Sequence, residues 1–371
     1  MTINTFKLEE YLTRHEFSAS FLLCCSDAES FSMQEILELA DSADRALWNN
    51  LRLGYTEVKG LPILRDQIAQ SLYPNLNPKL ISCFAGAEEG IFCALFTLCE
   101  PGEHVIVLTP CYQSFIEIPK LKKAHVSQVS LKPENNWRIN LDDIKNEIRP
   151  NTKCLVINFP HNPTGQVISP DELNNLVKLC DKHGIWLFSD EVYHLLGNPV
   201  EGWAKPAAEI YPRALSLGVM SKAYGMAGLR LGWIACQNEN LLKKIEEVKH
   251  YTSICNSAPS EIIGLIALKN HVKILSRNNF IVAKNLELID KLFQKYSNLF
   301  SWVRPQGGCV GFVEYKSDEL VDIFCERLLQ QSGVLLMPAS IYDHKSNCFR
   351  IGFGRKNMPE ALARLEDFIK S

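Results

Sequence analysis

Two glycine cradles are missing from this chain. Neither Gly-x-Gly-x-x-Gly nor Gly-x-x-x-x-Gly-Lys-Ser/Thr occurs in its 371 residues. That excludes the phosphate loops of nicotinamide dehydrogenases and P-loop enzymes. No apolar run is long enough to cross a bilayer. The 39 basic and 42 acidic residues leave a net charge of −3, so there is no basic surplus to attract nucleic acid or an acidic membrane surface. Residues 1–10 are polar and lack the pattern of a secretory signal. The thirteen cysteines contain no Cys-x-x-Cys pair. Cys24 and Cys25 are adjacent, while Cys93, Cys99, Cys154 and Cys180 sit in apolar segments. These read as buried, reduced thiols of a cytoplasmic protein, with no metal and no disulfide framework. Internal repeats and low-complexity stretches are absent too.

The composition is that of an ordinary packed protein, 46% hydrophobic and 22% charged, and long enough for two domains. Short apolar runs at 81–84, 104–108, 126–131, 154–159, 185–188, 214–220 and 231–236 read as strands. Helical patterns at 61–72, from the 85–90 turn to 98, at 171–183 and at 239–250 alternate with them. This is an α/β pattern and predicts a mainly parallel, helix-covered sheet. Residues 253–259 read as a linker to a second region. The expected division is a three-layer large domain over 46–254. A smaller α+β domain would combine the amino-terminal arm, 1–45, with 255–371.

Chemistry concentrates around Lys222. A buried strand delivers the chain to Ser221-Lys222, and Gly225, Gly228 and Gly232 then keep the backbone bare for a bulky ligand. Arg230 follows, a cation that cannot deprotonate and that suits an anion. A lysine beside such a cation can present a free amine to a carbonyl. Taken alone, the stretch is equally a glycine-rich turn with solvated charges.

Other signals fall at strand ends. Gly86, Ala87 and Glu88 turn a strand into a helix, aiming backbone N–H groups and a positive helix end at one point. Tyr112 ends the next strand, where its ring could cover a flat ligand. Asn158-Phe159-Pro160-His161-Asn162-Pro163-Thr164-Gly165 holds the Asn162 amide between two prolines. Asp190 follows an apolar strand and precedes Tyr193; it is a ligand-binding acid or a helix cap. Tyr55 stands in a glycine-flanked loop, and Arg350 stands inside an apolar strand. Residues 24–30 pack two thiols, two acids and two hydroxyls after an apolar run. They form either a strand end with Asp27 as a helix cap or a loop touching a ligand. If Asp27 or Glu29 faces the pocket, a cationic substrate side chain is favoured.

An anionic end, a flat ring, a basic ring nitrogen and a carbonyl together describe pyridoxal 5'-phosphate. The sequence resembles the pyridoxal-phosphate-dependent aminotransferases of fold type I, class I/II, from about residue 54 to 354. The motifs carrying the likeness are Asn162-Pro163-Thr164-Gly165, Asp190 with Tyr193, Ser221-Lys222 with Gly228 and Arg230, and Arg350. The resemblance implies that Lys222 forms the internal aldimine and shuttles the proton. It implies that Asp190 pairs with the pyridine nitrogen, and that Asn162 and Tyr193 hold the ring's phenolic oxygen. Gly86, Ala87, Glu88, Ser221 and Arg230 would surround the phosphate, and Tyr112 would stack on the ring. Tyr55 would reach the partner subunit's phosphate in a homodimer with shared sites. Arg350, with Asn162, would hold the substrate α-carboxylate. The chain departs from the family at Val219, where a Ser or Thr phosphate ligand is usual, and in residues 24–30, where the family has a glycine-bearing segment.

The implied reaction moves an amino group between an L-amino acid and a 2-keto acid. Elimination, C–S cleavage or a capreomycidine-synthase-like cyclisation of a guanidino amino acid would use the same cofactor residues. A non-catalytic regulator is a different class of reading. It is disfavoured because Lys222, Asp190 and Arg350 are all present and because no helix-turn-helix domain is expected ahead of residue 54.

Overall fold

The structure, a computed structural model, describes residues 3–371; Met1 and Thr2, which begin the polar amino-terminal stretch, lie outside the described residues. The arm contributes a helix, Lys7–His15, and a two-residue strand, β1 (Phe21–Leu22). Seven strands then build the central sheet: β2 (Ile81–Phe84), β3 (His104–Thr109), β4 (His125–Ser130), β5 (Thr152–Asn158), β6 (Trp186–Asp190), β7 (Ala214–Val219) and β8 (Gly232–Cys236). Their spatial order is β2-β8-β7-β6-β5-β3-β4. Only β8 runs antiparallel to its neighbours, so the sheet is mainly parallel.

Alternation along these strands makes three layers. Val105, Val107, Cys154, Val156 and Phe188 enter the core on one face. Ile106, Leu108, Leu155, Ile157 and Leu187 enter the core on the other. A strand buried on both faces carries a continuous apolar run, which is why these segments are legible in the sequence. The crossover helices are bounded by local chemistry. Helix Pro170–His183 starts with a capping box between Ser169 and Glu172 and ends at left-handed Gly184.

Beyond β8, strands β9 (Phe300–Trp302), β10 (Val310–Tyr315), β12 (Met337–Pro338) and β13 (Cys348–Gly352) form an antiparallel sheet in the order β12-β13-β10-β9. Strand β11 (Val334–Leu335) pairs in parallel with β1, fastening the arm to the carboxy-terminal part. Residues 253–259 are fastened as well. Buried Lys249 donates to the carbonyls of Val58 and Cys83 and to Asn256 Oδ1 at 2.6, 2.8 and 3.2 Å. Helix Ala258–Lys269 begins inside that segment, with Pro259 in its first turn, where the missing N–H costs nothing. Helices Ser42–Asn49 and Ser114–Leu121 were not evident from the sequence; the second carries Pro119 in its interior. Among the described residues, no helix is long and apolar enough to cross a membrane.

Candidate active site

Parallel strands bring their carboxyl ends to one edge of the sheet, and ligands of open α/β sheets bind outside that edge. Here β2 delivers Gly86, β3 Tyr112, β5 Asn158 and Asn162, β6 Asp190 and β7 Ser221 with Lys222. Because β8 is antiparallel, its beginning lies at the same edge. Gly232 pairs with both Phe84 and Val219, which sets Arg230 beside the Gly86 turn. A cavity of ≈ 410 Å³ opens there. Its walls include Ala87, Glu88, Tyr112, Asn162, Asp190, Tyr193, Ser221, Lys222, Arg230 and Arg350. Tyr55 is not in the wall; it is 91% exposed.

One corner is built for an anion. Gly86, with φ +90°, caps helix Ala87–Leu98, whose first N–H groups face the cavity. A Cβ at Gly86 would come within 2.5 Å of an Arg230 guanidinium nitrogen, so the bare backbone lets that side chain lie over the helix end. Arg230 has no ion-pair partner among the described residues, and its own backbone is left-handed, at φ +47°. Val219 points away into the apolar core and offers the corner nothing.

The lysine is covered by the arm. Lys222 Nζ donates to Ser26 Oγ at 2.9 Å, and Tyr193 Oη donates to the Ser26 carbonyl at 2.7 Å. The Ala28 N–H bonds the Lys222 carbonyl at 3.2 Å, and the Glu29 N–H bonds the Gly354 carbonyl at 2.8 Å. The loop lies so close to β13 that a Cβ on Gly352 would approach the Cys25 carbonyl to 2.1 Å. Cys25, Ser26 and Asp27 therefore form part of the cavity wall. Asp27 does not cap a helix. Ser32 caps the next helix with a capping box to Glu35, while Asp27 pairs with Arg355 at 2.7 Å. Glu29 does not reach the cavity; its carboxylate accepts from the Lys356 N–H at 2.8 Å. These partners are some 330 residues away in sequence, and no local pattern announces them.

Against the arm, Arg350 is 1% exposed. Its Nε and Nη2 donate to the Cys24 carbonyl at 3.1 and 2.7 Å, and Nη1 donates to Asn162 Oδ1 at 3.2 Å and to the Tyr342 hydroxyl. Tyr342 also donates to Asn162 Oδ1 at 3.1 Å. All these partners are neutral, so a buried cation faces the cavity with its charge uncompensated. Tyr342 gave no signal in the sequence. Tyr112 is held by Glu9, its hydroxyl donating to Oε1 at 3.1 Å.

Asp190, 6% exposed, ends β6 and accepts the Val192 N–H at 3.1 Å. It caps no helix. Burial pushes its carboxyl up from 3.8 to about 7, against the Val192 N–H and Lys222, which pull it down. Neighbouring Glu191 is pushed up to about 7 by burial as well. A carboxyl raised in the fold favours its protonated form, so its stabilising effect is complete below the unfolded value and is lost as pH rises through the folded one. With no small molecule bound, the wild type should lose melting temperature between pH 3.8 and about 7 more steeply than Asp190→Asn. Parallel melting curves for the two proteins would contradict this account of Asp190.

The family model for aminotransferase class I and II matches residues 22–365. The aspartate aminotransferase of Thermotoga maritima is 29% identical over 329 residues, covering 85% of this chain and 84% of that protein. Capreomycidine synthase of Streptomyces vinaceus is 26% identical over 366 residues, covering 97% of this chain and 92% of that protein. A pyridoxal-phosphate-dependent aminotransferase structure from Streptococcus suis superposes with a TM-score of 0.94 at 30% identity, over 100% of this chain and 98% of that one.

Proposed function

Because the chain belongs to the class I and II aminotransferases, a pyridoxal-phosphate-dependent family, we propose that it moves an amino group between an L-amino acid and a 2-keto acid, with Lys222 as its central residue. One observation carries the reading. A primary amine, a buried carboxyl and a buried, charge-uncompensated guanidinium line a single cavity.

The cavity fits the cofactor. The Gly86 turn, the N–H groups of Ala87 and Glu88, Ser221 and the unpaired Arg230 make a phosphate corner. Asp190 is a buried carboxyl that a pyridinium nitrogen would return to its ionised form. Tyr112 offers a ring face. When bound, pyridoxal phosphate supplies an electron sink for the bond broken at the substrate α-carbon. The chain supplies the rest. Lys222 would hold the cofactor through its amine and would carry the proton at the substrate α-carbon. Asp190 keeps the ring nitrogen protonated. Asn162 has no protein partner for Nδ2 among the described residues, which suits it to the ring's phenolic oxygen. The single O–H of Tyr193 cannot donate to the Ser26 carbonyl and that oxygen at once, so loading the site exchanges one bond for the other. Arg350 holds the substrate carboxylate, and Asn162 orients its fork.

A second reading is elimination or cyclisation on the same cofactor. It is favoured by the match to capreomycidine synthase, which extends over 97% of the chain, arm included, and by Ser26, a hydroxyl set against Lys222. Purified protein incubated with L-amino acids and a 2-keto acid acceptor distinguishes the two. Stoichiometric appearance of a new amino acid and a new keto acid is expected. Ammonia, a thiol or a cyclised product without amino transfer would replace the first reading with the second.

We also read the enzyme as a homodimer with Tyr55 reaching the partner's phosphate corner. Leu53, Tyr55 and Tyr251 are exposed, and Thr56 Oγ1 ties that loop to the Asn256 carbonyl at 3.1 Å. Tyr55→Ala and Lys222→Ala homodimers, mixed and allowed to exchange subunits, should regain activity in hybrid sites that keep both residues. No recovery after confirmed exchange counts against shared sites.

A further inference from the structure

We propose that the mouth of this cavity reads a cationic amino-acid side chain, with Glu16 as the specificity-determining residue and Glu9 as its support. This rests on the cavity being an amino-acid site. Helix Lys7–His15 lies along the mouth, and Leu8, Glu9, Leu12 and Glu16 line it. Glu9 and Glu16 are seven residues apart, close to two full turns, so they share a face and stand roughly 10 Å apart along the axis. Leu12 lies between them and Leu8 stands beside Glu9, and both offer apolar surface to a methylene stem, as long cationic side chains require.

Charge balance picks the side-chain class. Among the described residues neither Glu9 nor Glu16 is in an ion pair, whereas Glu10, off the cavity, pairs with Arg14. Burial raises the Glu16 carboxyl, and Asp27 and Glu9 raise it further, against Arg355 and Lys222. Two acids thus stand close enough to act on the Glu16 carboxyl. Arg355, the other cation on this side, is taken by Asp27. Arg350, the buried guanidinium, faces the cavity with only neutral partners, which independently marks the place of a carboxylate. A substrate held there by its α-carboxylate therefore extends toward uncompensated negative charge. An ammonium or guanidinium head completes the balance, while a second carboxylate adds to the repulsion.

The test measures substrate affinity, from the change in cofactor absorbance, and kcat/KM for arginine, ornithine, lysine, norleucine and aspartate in the holoenzyme. Wild type should favour the three cations over norleucine by on the order of tenfold or more, and aspartate should come last. Glu16→Gln should collapse the arginine-to-norleucine ratio, Glu16→Lys should invert the order of arginine and aspartate, and Glu10→Gln, off the cavity, should leave the ranking alone. High salt should narrow the preference, since the mouth is open to screening ions. A wild type that prefers aspartate or norleucine, or a ranking unmoved by both Glu16 changes, overturns the inference and leaves the amino-acid site standing. The inference also falls if Glu16→Gln only weakens the dimer, because a partner cation would then own that carboxylate. If no amino acid in the panel perturbs the cofactor spectrum, the amino-acid site fails and the inference goes with it.

Discussion

Lys222→Ala is expected to keep the cofactor and lose turnover by roughly 10³-fold or more, because general acid–base catalysis alone contributes about 10²–10⁴-fold and the proposed role makes this residue the nucleophile as well. Cofactor retention follows from how the site is assembled. The proposed phosphate corner comes from β2, the helix behind it and Arg230, and Asp190, the proposed ring-nitrogen partner, comes from β6. None of these depends on the lysine side chain. The residue sits one position past Ser221, directly after β7, and the arm closes on it through Ser26. No other lysine lines the cavity among the described residues, so no substitute amine is at hand. Borohydride reduction of the wild type followed by peptide mapping should place the pyridoxyl label on Lys222. A label elsewhere, or an alanine variant within tenfold of wild type, would remove Lys222 from the centre of the reading. A small added amine that partly restores the variant would show that the missing group is the base and that the fold is intact.

The parts of this site legible in the sequence are those written in consecutive residues. The glycine turn at Gly86, the Asn162-Pro163-Thr164-Gly165 turn, Asp190 behind an apolar strand and Ser221-Lys222 all sit where a strand ends, and a parallel sheet turns that local fact into a shared location. What stayed hidden is set by distance along the chain. Asp27 has the local pattern of a cap, but Arg355, 328 residues away, takes its carboxylate. Glu29 goes to Lys356, and Ser26 goes to Lys222. Tyr342, which braces both Arg350 and Asn162, ends a short 3₁₀ helix, Ala339–Tyr342, that carries no periodic signal. The acids at the mouth, Glu9 and Glu16, look like the solvated face of an ordinary amphipathic helix until β1 pairs with β11 and fixes the arm to the carboxy-terminal part. Local rules pointed to the strand-end residues that line one side of the cavity; the other wall needed the tertiary structure, because the arm and the carboxy-terminal strands build it together.

Arg350→Lys is the change expected to separate substrate binding from cofactor chemistry. In β13, Arg350 pairs with Phe312 of β10 and Met337 of β12, while Phe349 and Ile351 on either side enter the core. The strand thus presents one guanidinium to the cavity and anchors it by packing its neighbours. Cys24, Asn162 and Tyr342 occupy the fork's N–H groups but carry no charge. Burying a cation without a counterion is costly unless an anion completes it, and a carboxylate that replaces some of these neutral partners would match the fork in two directions at once. Truncating one partner of such a pair costs about 2–5 kcal/mol, or roughly 30-fold to several thousand-fold in kcat/KM. Lysine keeps the charge and loses the fork, so the effect should fall toward the lower end, as a raised KM, with the cofactor absorbance unchanged before substrate is added. A damaged fold could also raise KM, and a second comparison separates the two. Wild type should strongly prefer an amino acid over the amine that lacks its carboxylate, and Arg350→Lys or Arg350→Ala should erode that preference because the discriminating group is gone. Misfolding would depress both substrates together and leave their ratio alone. An unchanged ratio in a variant of normal absorbance would assign the carboxylate to another residue and leave Arg350 as a brace for the arm through the Cys24 carbonyl.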